Sequence, residues 1–154
     1  MEVEAFLSDT VQAAGGKLHA LGIGWRVLQT GGLPARHDRI GIGVIVRTPP
    51  SEAGDHQLRL SLRGPGGADL PLVAGPDGST RTALEAGFGT PPGEGTATLA
   101  LNLDGLVFQH EGDHAFVLQV DGNERARLPF RVQVASGQTA PDRPTTDYGT
   151  GMYL

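Results

Sequence analysis

His110-Glu111-Gly112-Asp113-His114 carries the letter pattern in which two histidines four residues apart hold zinc and the glutamate between them serves as base. That chemistry needs a helix, which brings positions i and i+4 onto one face. Here Gly112 interrupts the run, and Phe116, Leu118 and Val120 begin an every-second-residue apolar row directly after it. The segment therefore reads as a polar connection between strands. His110, Asp113 and His114 remain the set that could ligate a metal from a loop, and a metal-dependent hydrolase there ranks third among the functional readings. Asp104, Glu111 and Asp113 lie close in sequence, where acids usually serve turns. Ser8, Ser51, Ser61, Ser79 and Ser136 all lack the strand-turn-helix frame of an activated serine. Gly22-Ile23-Gly24 and Gly41-Ile42-Gly43 lead into no helix whose N-terminus could hold a phosphate. The expectation is a non-catalytic chain without a cofactor.

The same glycines have a second reading. Gly22 and Gly24 alternate with Leu21, Ile23 and Trp25, while Gly41 and Gly43 alternate with Ile40, Ile42 and Val44. Glycine weakens a strand interior and often marks a place where another backbone approaches. If the two strands are neighbours, their outer face has a patch without side chains, flanked by Arg26, Ile45 and Arg47. The expected interaction residues are accordingly Gly22, Gly24, Arg26, Gly41, Gly43 and Arg47, with a second copy of the chain as the simplest partner.

The elements that would position these residues are strands. Leu58, Leu60 and Leu62 alternate with polar residues, as do Leu99, Leu101 and Leu103, then Phe116, Leu118 and Val120, then Leu128, Phe130, Val132 and Val134. Asp121-Gly122 between the last two rows predicts a tight hairpin. Ile40, Ile42, Val44 and Val46 form another inward row. Before it, a long strand is expected from Lys17 to Gln29 with Leu21, Ile23, Trp25 and Val27 inward and a bulge near His19 or Ala20. Val3 to Leu7, Leu70 to Val73 and Thr82 to Phe88 bring the expectation to about nine strands. Leu7 to Ala14 is the one stretch with room for a helical turn or two, stopped by Gly15-Gly16. Glycine and proline clusters at 31–34, 48–51, 64–67, 75–78 and 90–93 supply the turns. The pattern predicts an all-β fold, an antiparallel two-sheet sandwich of immunoglobulin-like or C2-like connection, with a small barrel as the alternative.

Residues 1–134 are expected to form this domain, and 135–154 a tail rich in Gly, Pro and Thr. Its Tyr148, Met152, Tyr153 and Leu154 are candidate anchors for a partner. The 154 residues carry 12 Lys+Arg against 17 Asp+Glu, a formal charge of −5, which argues against a nucleic-acid backbone as partner. With no cysteine, disulfide frameworks and thiol chemistry are excluded. No apolar run approaches the roughly 20 residues that cross a bilayer. Met1 to Phe6 holds two acids where an export signal needs a basic start, so the cytoplasm is the expected compartment.

Glu4 to Asp9, Gly16 to Trp25, Ala100 to Leu106, and Gly112 to Phe116 with Asp121-Gly122 resemble a family of short uncharacterised bacterial proteins, over about residues 2 to 134. The resemblance implies a domain of unknown function and carries over no catalytic residue. The last of these regions also resembles the immunoglobulin corner in which a tyrosine hydroxyl ties a strand start to the backbone; His114 stands in the tyrosine's place. The leading reading is a non-catalytic interaction or assembly module, possible as a homo-oligomer, with a protein or itself as partner. The alternative is a small-molecule or carbohydrate binder with its site in the loops at one end.

Overall fold

The computed structural model describes residues 1–74, 76–93 and 95–135. The alternating rows become strands: β1 (Glu2–Ser8), β2 (Thr10–Ala14), β3 (Lys17–Leu21), β4 (Val27–Thr30), β5 (Ala35–Thr48), β6 (Gly54–Arg63), β7 (Asp69–Leu70), β8 (Val73–Ala74), β9 (Thr80–Arg81), β10 (Ala83–Thr90), β11 (Gly95–Phe108), β12 (Gly112–Val120) and β13 (Asn123–Val134). One sheet has the order β1-β5-β11, the other β10-β6-β12-β13-β4 with β7 beside β6. Pairing is antiparallel except between β13 and β4. The two sheets bury their apolar rows against each other, Ile40, Ile42, Val44 and Val46 in one core with Leu58, Leu60, Leu62, Phe116, Leu118 and Val120. Each such side chain contributes roughly 1.5–3 kcal/mol by leaving water. Both sheets keep open edges, so the architecture is an all-β sandwich and not a barrel. Among the described residues no helix is long and apolar enough to cross a membrane.

The long strand expected over Lys17 to Gln29 does not form. The chain instead folds β2 against β3, with Ala14 opposite Lys17 and the two-residue turn Gly15-Gly16 between them. Both glycines have positive φ, +59° and +70°, as a turn matching the twist of a two-stranded ribbon requires. The helical turn expected over Leu7 to Ala14 is thus strand and corner. After β3 the chain turns at Gly22 to Gly24, and β4 starts only at Val27. Of the expected inward row Leu21, Ile23, Trp25 and Val27, only Trp25 packs against the core; Leu21, Ile23 and Val27 face solvent, while Leu28 is buried. Alternation fixes which residues share a face but not which face meets the core.

A second break shapes one end of the sandwich. Along β11, Leu103 is buried and Asp104 exposed, then Leu106 and Phe108 are buried and Val107 exposed, so the inward phase shifts across Gly105. Gly105 has φ +70°, a conformation that side-chain-bearing residues rarely adopt. Phe108 and Phe116 then close on Phe130 with ring centroids 5.8 and 5.3 Å apart.

Candidate functional site

The glycine patch exists, but the chain covers half of it. Gly43 lies opposite Phe6 and Gly41 opposite Ser8 in the β1–β5 register. A Cβ on Gly43 would stand 2.2 Å from Cζ of Phe6, and one on Gly41 would stand 2.9 Å from the carbonyl carbon of Thr10. Phe6 therefore lies across Gly43, an aromatic ring filling the space a strand glycine leaves. Over Gly41 the chain turns out of the sheet into the β2–β3 hairpin. Asn102, on the other side of Gly41, holds that hairpin: its Nδ2 donates to the Val11 carbonyl at 2.8 Å and its Oδ1 accepts from the Val11 N–H at 3.1 Å. The expectation of one open patch is corrected here. Close approach is what Gly41 and Gly43 permit, but the approaching atoms belong to the same chain. Arg47 is exposed near them, 3.1 Å from Glu4.

Gly22, Gly24 and Arg26 lie elsewhere, in the exposed connection from β3 to β4. β5 pairs with β1 and β11, so the two glycine pairs are not on neighbouring strands. The Gly24 N–H donates to the Leu7 carbonyl (3.0 Å) and the Asp9 N–H to that of Leu21 (2.9 Å), which anchors the connection. Around these glycines Leu21 is 71% exposed, Ile23 59% and Val27 48%. β4 beside them is a sheet edge. The Arg26 and Thr30 carbonyls accept from the Arg131 and Ala135 N–H groups, so alternation turns the N–H and C=O of Val27 and Gln29 away from β13. Among the described residues no strand pairs with that edge. Tyr148, Met152, Tyr153 and Leu154 lie outside the described residues.

His110, Asp113 and His114 do not all converge: His110 and His114 line one cleft, and Asp113 is not part of it. His110 is exposed in the connection before β12; Asp113 and His114 are successive on a strand, and so point to opposite sides of the sheet, Asp113 exposed and His114 buried. Among the described residues no three His, Cys, Asp or Glu side chains come together as a metal site. His114 is instead built into the aromatic core, stacked on Phe130 at 5.5 Å and edge-on to Phe108 at 5.4 Å. Its Nδ1 lies 2.9 Å from the Gly112 carbonyl. A carbonyl only accepts, so Nδ1 carries the hydrogen and donates. His114 thus makes a backbone tie of the kind a corner tyrosine makes, with shorter reach.

His114 also forms part of the wall of a cleft of about 290 Å³ between the β6–β8 connection and the shifted part of β11. Leu70, Pro71, Leu72, Leu106 and Val107 make its lining largely apolar. The sequence held one sign of it: Leu103 and Leu106 are three apart where strict alternation would give two. It held no sign that the 70–72 segment closes the other side.

A polar cluster ties β6 to the turn between β12 and β13. The Gln57 N–H donates to Oδ1 of Asp121 at 2.9 Å; His56 Nδ1 lies 2.7 Å from Oδ2 and its Nε2 lies 2.9 Å from the Glu52 carbonyl. The hydrogen bond to Asp121 raises the His56 pKa above its ordinary value, against partial desolvation, with the Glu52 carbonyl adding to the rise. Asp121 is held below the usual carboxylate range by the Gln57 N–H and then by His56. The expected Asp121-Gly122 turn forms, with φ of +51° and +82°.

The fold defines an all-β protein of two packed sheets, a sandwich. Residues 4–133 match the model of a family described as a family of unknown function, DUF6941, and the chain belongs to that family. None of the curated proteins matches it in sequence. Among solved structures, a β-glucosidase from Listeria innocua is similar at 12% identity and TM-score 0.47, over 85% of this chain but 16% of the glucosidase. An immunoglobulin-like protein from Pseudomonas aeruginosa is similar at 15% identity and TM-score 0.40, over 86% of this chain and 98% of that one. The alkylpurine DNA glycosylase AlkC from Pseudomonas fluorescens is similar at 9% identity and TM-score 0.42, over 70% of this chain and 27% of the glycosylase. The chain thus spans about a sixth of the length of the glucosidase.

Proposed function

We propose that this domain is a non-catalytic interaction module that binds a second copy of itself through the connection from β3 to β4 and the β4 edge. The observation that carries the reading is the concentration of exposed apolar side chains, Leu21, Ile23 and Val27, within seven residues that also hold Gly22, Gly24 and Arg26. Isolated exposed apolar residues are ordinary, whereas a local group of them marks a contact surface. The adjoining edge offers outward N–H and C=O groups at Val27 and Gln29, which a strand of another chain can pair with. Two copies related by a two-fold axis would each present the same edge and the same apolar residues, giving a closed contact. Arg26 adds one positive charge to a chain whose net charge is −5.

Light scattering on the full chain tests it. A mass above 16.0 kDa is expected, falling to 16.0 kDa in the double variant Leu21→Ser, Ile23→Ser, whose positions are exposed and leave the core intact. A wild-type mass of 16.0 kDa across the accessible concentration range refutes the reading.

A further inference from the structure

We infer that the cleft beside His114 is a binding site for a small, uncharged, largely apolar molecule that carries one hydroxyl or N–H donor, a phenol being the simplest example. This inference is independent of self-association, which uses the other surface. Cofactor and ligand sites are typically concave and mostly apolar, with a few polar groups that fix orientation. The cleft has that composition: the apolar walls described above are joined by Thr80, Asp104, Gln109 and His110, and His114 is a buried side chain among them.

His114 is 3% exposed, and all but one part of its ring is occupied. Phe130 lies on a face, Phe108 meets it edge-on, and Nδ1 donates to the Gly112 carbonyl. Nε2 has no hydrogen-bond partner among the described residues, although the ring forms part of the cleft wall. Nε2 keeps some access to solvent, so a ligand donor at the cleft would replace water there. In the tautomer that carries its hydrogen on Nδ1, Nε2 is an acceptor. The complementary ligand atom is therefore a donor, and the apolar walls favour an uncharged body behind it. The site's position fits its origin, since the phase shift at Gly105 brings Leu106 inward and turns Val107 to the rim.

The experiment is titration of the full chain, with ¹⁵N-labelled histidine, by phenol, toluene and benzoate. Phenol is expected to shift the His114 Nε2 resonance and the Leu72 and Leu106 methyl signals to saturation. Toluene, without the donor, is expected to bind roughly fivefold more weakly, the value of one neutral hydrogen bond. Benzoate, an anion without a donor, is expected to bind more weakly than phenol. Val107→Trp should block the cleft from its exposed rim, and Gln109→Trp serves the same purpose if the first variant folds poorly. No saturable shift with phenol, a shift that survives the blocking variant, or toluene or benzoate binding as tightly as phenol would each overturn the inference.

Discussion

Replacing Gly43 with alanine adds one methyl group where Phe6 already lies. The new Cβ would stand 2.2 Å from Cζ and 2.7 Å from both Cε atoms of the ring, so the ring must move. Overpacking of this kind costs typically about 1–3 kcal/mol. Alanine also restricts the unfolded chain, which is worth about 0.5–1 kcal/mol in favour of the variant within a strand. The φ of Gly43 is not among the positive ones, so the substitution meets no backbone penalty. The net expectation is a destabilisation of about 0.5–2 kcal/mol in the wild-type background. With Phe6→Ala the three nearest obstructing atoms are gone, and the same Gly43→Ala change should then stabilise by about 0.5–1 kcal/mol. The coupling between the two positions is therefore about 1–3 kcal/mol, well above the roughly 0.5 kcal/mol within which distant mutations add. Urea unfolding of the four proteins, compared at unchanged m, measures it. A Gly43→Ala change of equal sign and size in both backgrounds refutes the claim that the glycine is there to seat the ring.

Three further outcomes follow from the same contacts. Gly41→Ala should be more damaging than Gly43→Ala, because its Cβ meets Thr10 backbone at 2.9 and 3.0 Å and backbone cannot rotate aside; the loss, about 3 kcal/mol, should appear with faster hydrogen exchange over residues 10–21. Asn102→Ala removes both hydrogen bonds to Val11 and should cost about 1–3 kcal/mol, with amide protection lost at Val11 before the core strands. The contact of His56 with Asp121 should make stability fall on the alkaline side. The folded His56 pKa is raised, so the contribution is complete below the unfolded value of about 6.5 and is lost as pH rises through the folded one. The drop should be at most about 1 kcal/mol and absent in His56→Gln when unfolding is followed from pH 5 to 9.

The sandwich was legible because its strands turn one apolar row to the core, and that row recurs at every second residue in Leu58 to Leu62, Leu99 to Leu103 and Phe116 to Val120, even though β5 from Ile40 to Val44 and β12 from His114 to Leu118 are buried on both faces. The Asp121-Gly122 turn was legible because few residues tolerate its backbone. The 17–29 segment was not. Its apolar residues alternate as convincingly as those of β5, yet Leu21 and Ile23 face water, because which side of a ribbon meets the core depends on where the preceding turn delivers it. The strand count was low because the expected strands over Lys17 to Gln29 and Leu70 to Val73 each divide in two, β3 with β4 and β7 with β8, and because β2 and β9 are too short to display a period.

At Gly41 and Gly43, residue type gave the close approach but not whose atoms make it. That another chain segment comes close to Gly41 and Gly43 follows from glycine in a strand; that the segment is the chain's own Phe6 and Thr10 depends on the β1–β5 register and the hairpin turned over it. His110, Asp113 and His114 are close in sequence, but the pleat of β12 turns Asp113 to the side opposite His114, and only His110, in the preceding connection, lines the same cleft as His114. The cleft lies at the other extreme. Its walls come from residues 70–72 and 106–107 with His114, segments joined by no local pattern, and only the packing of two sheets around a shifted strand brings them together. Periodicity is a local property and survives in one dimension; a concave surface between distant segments is set by long-range contacts and does not.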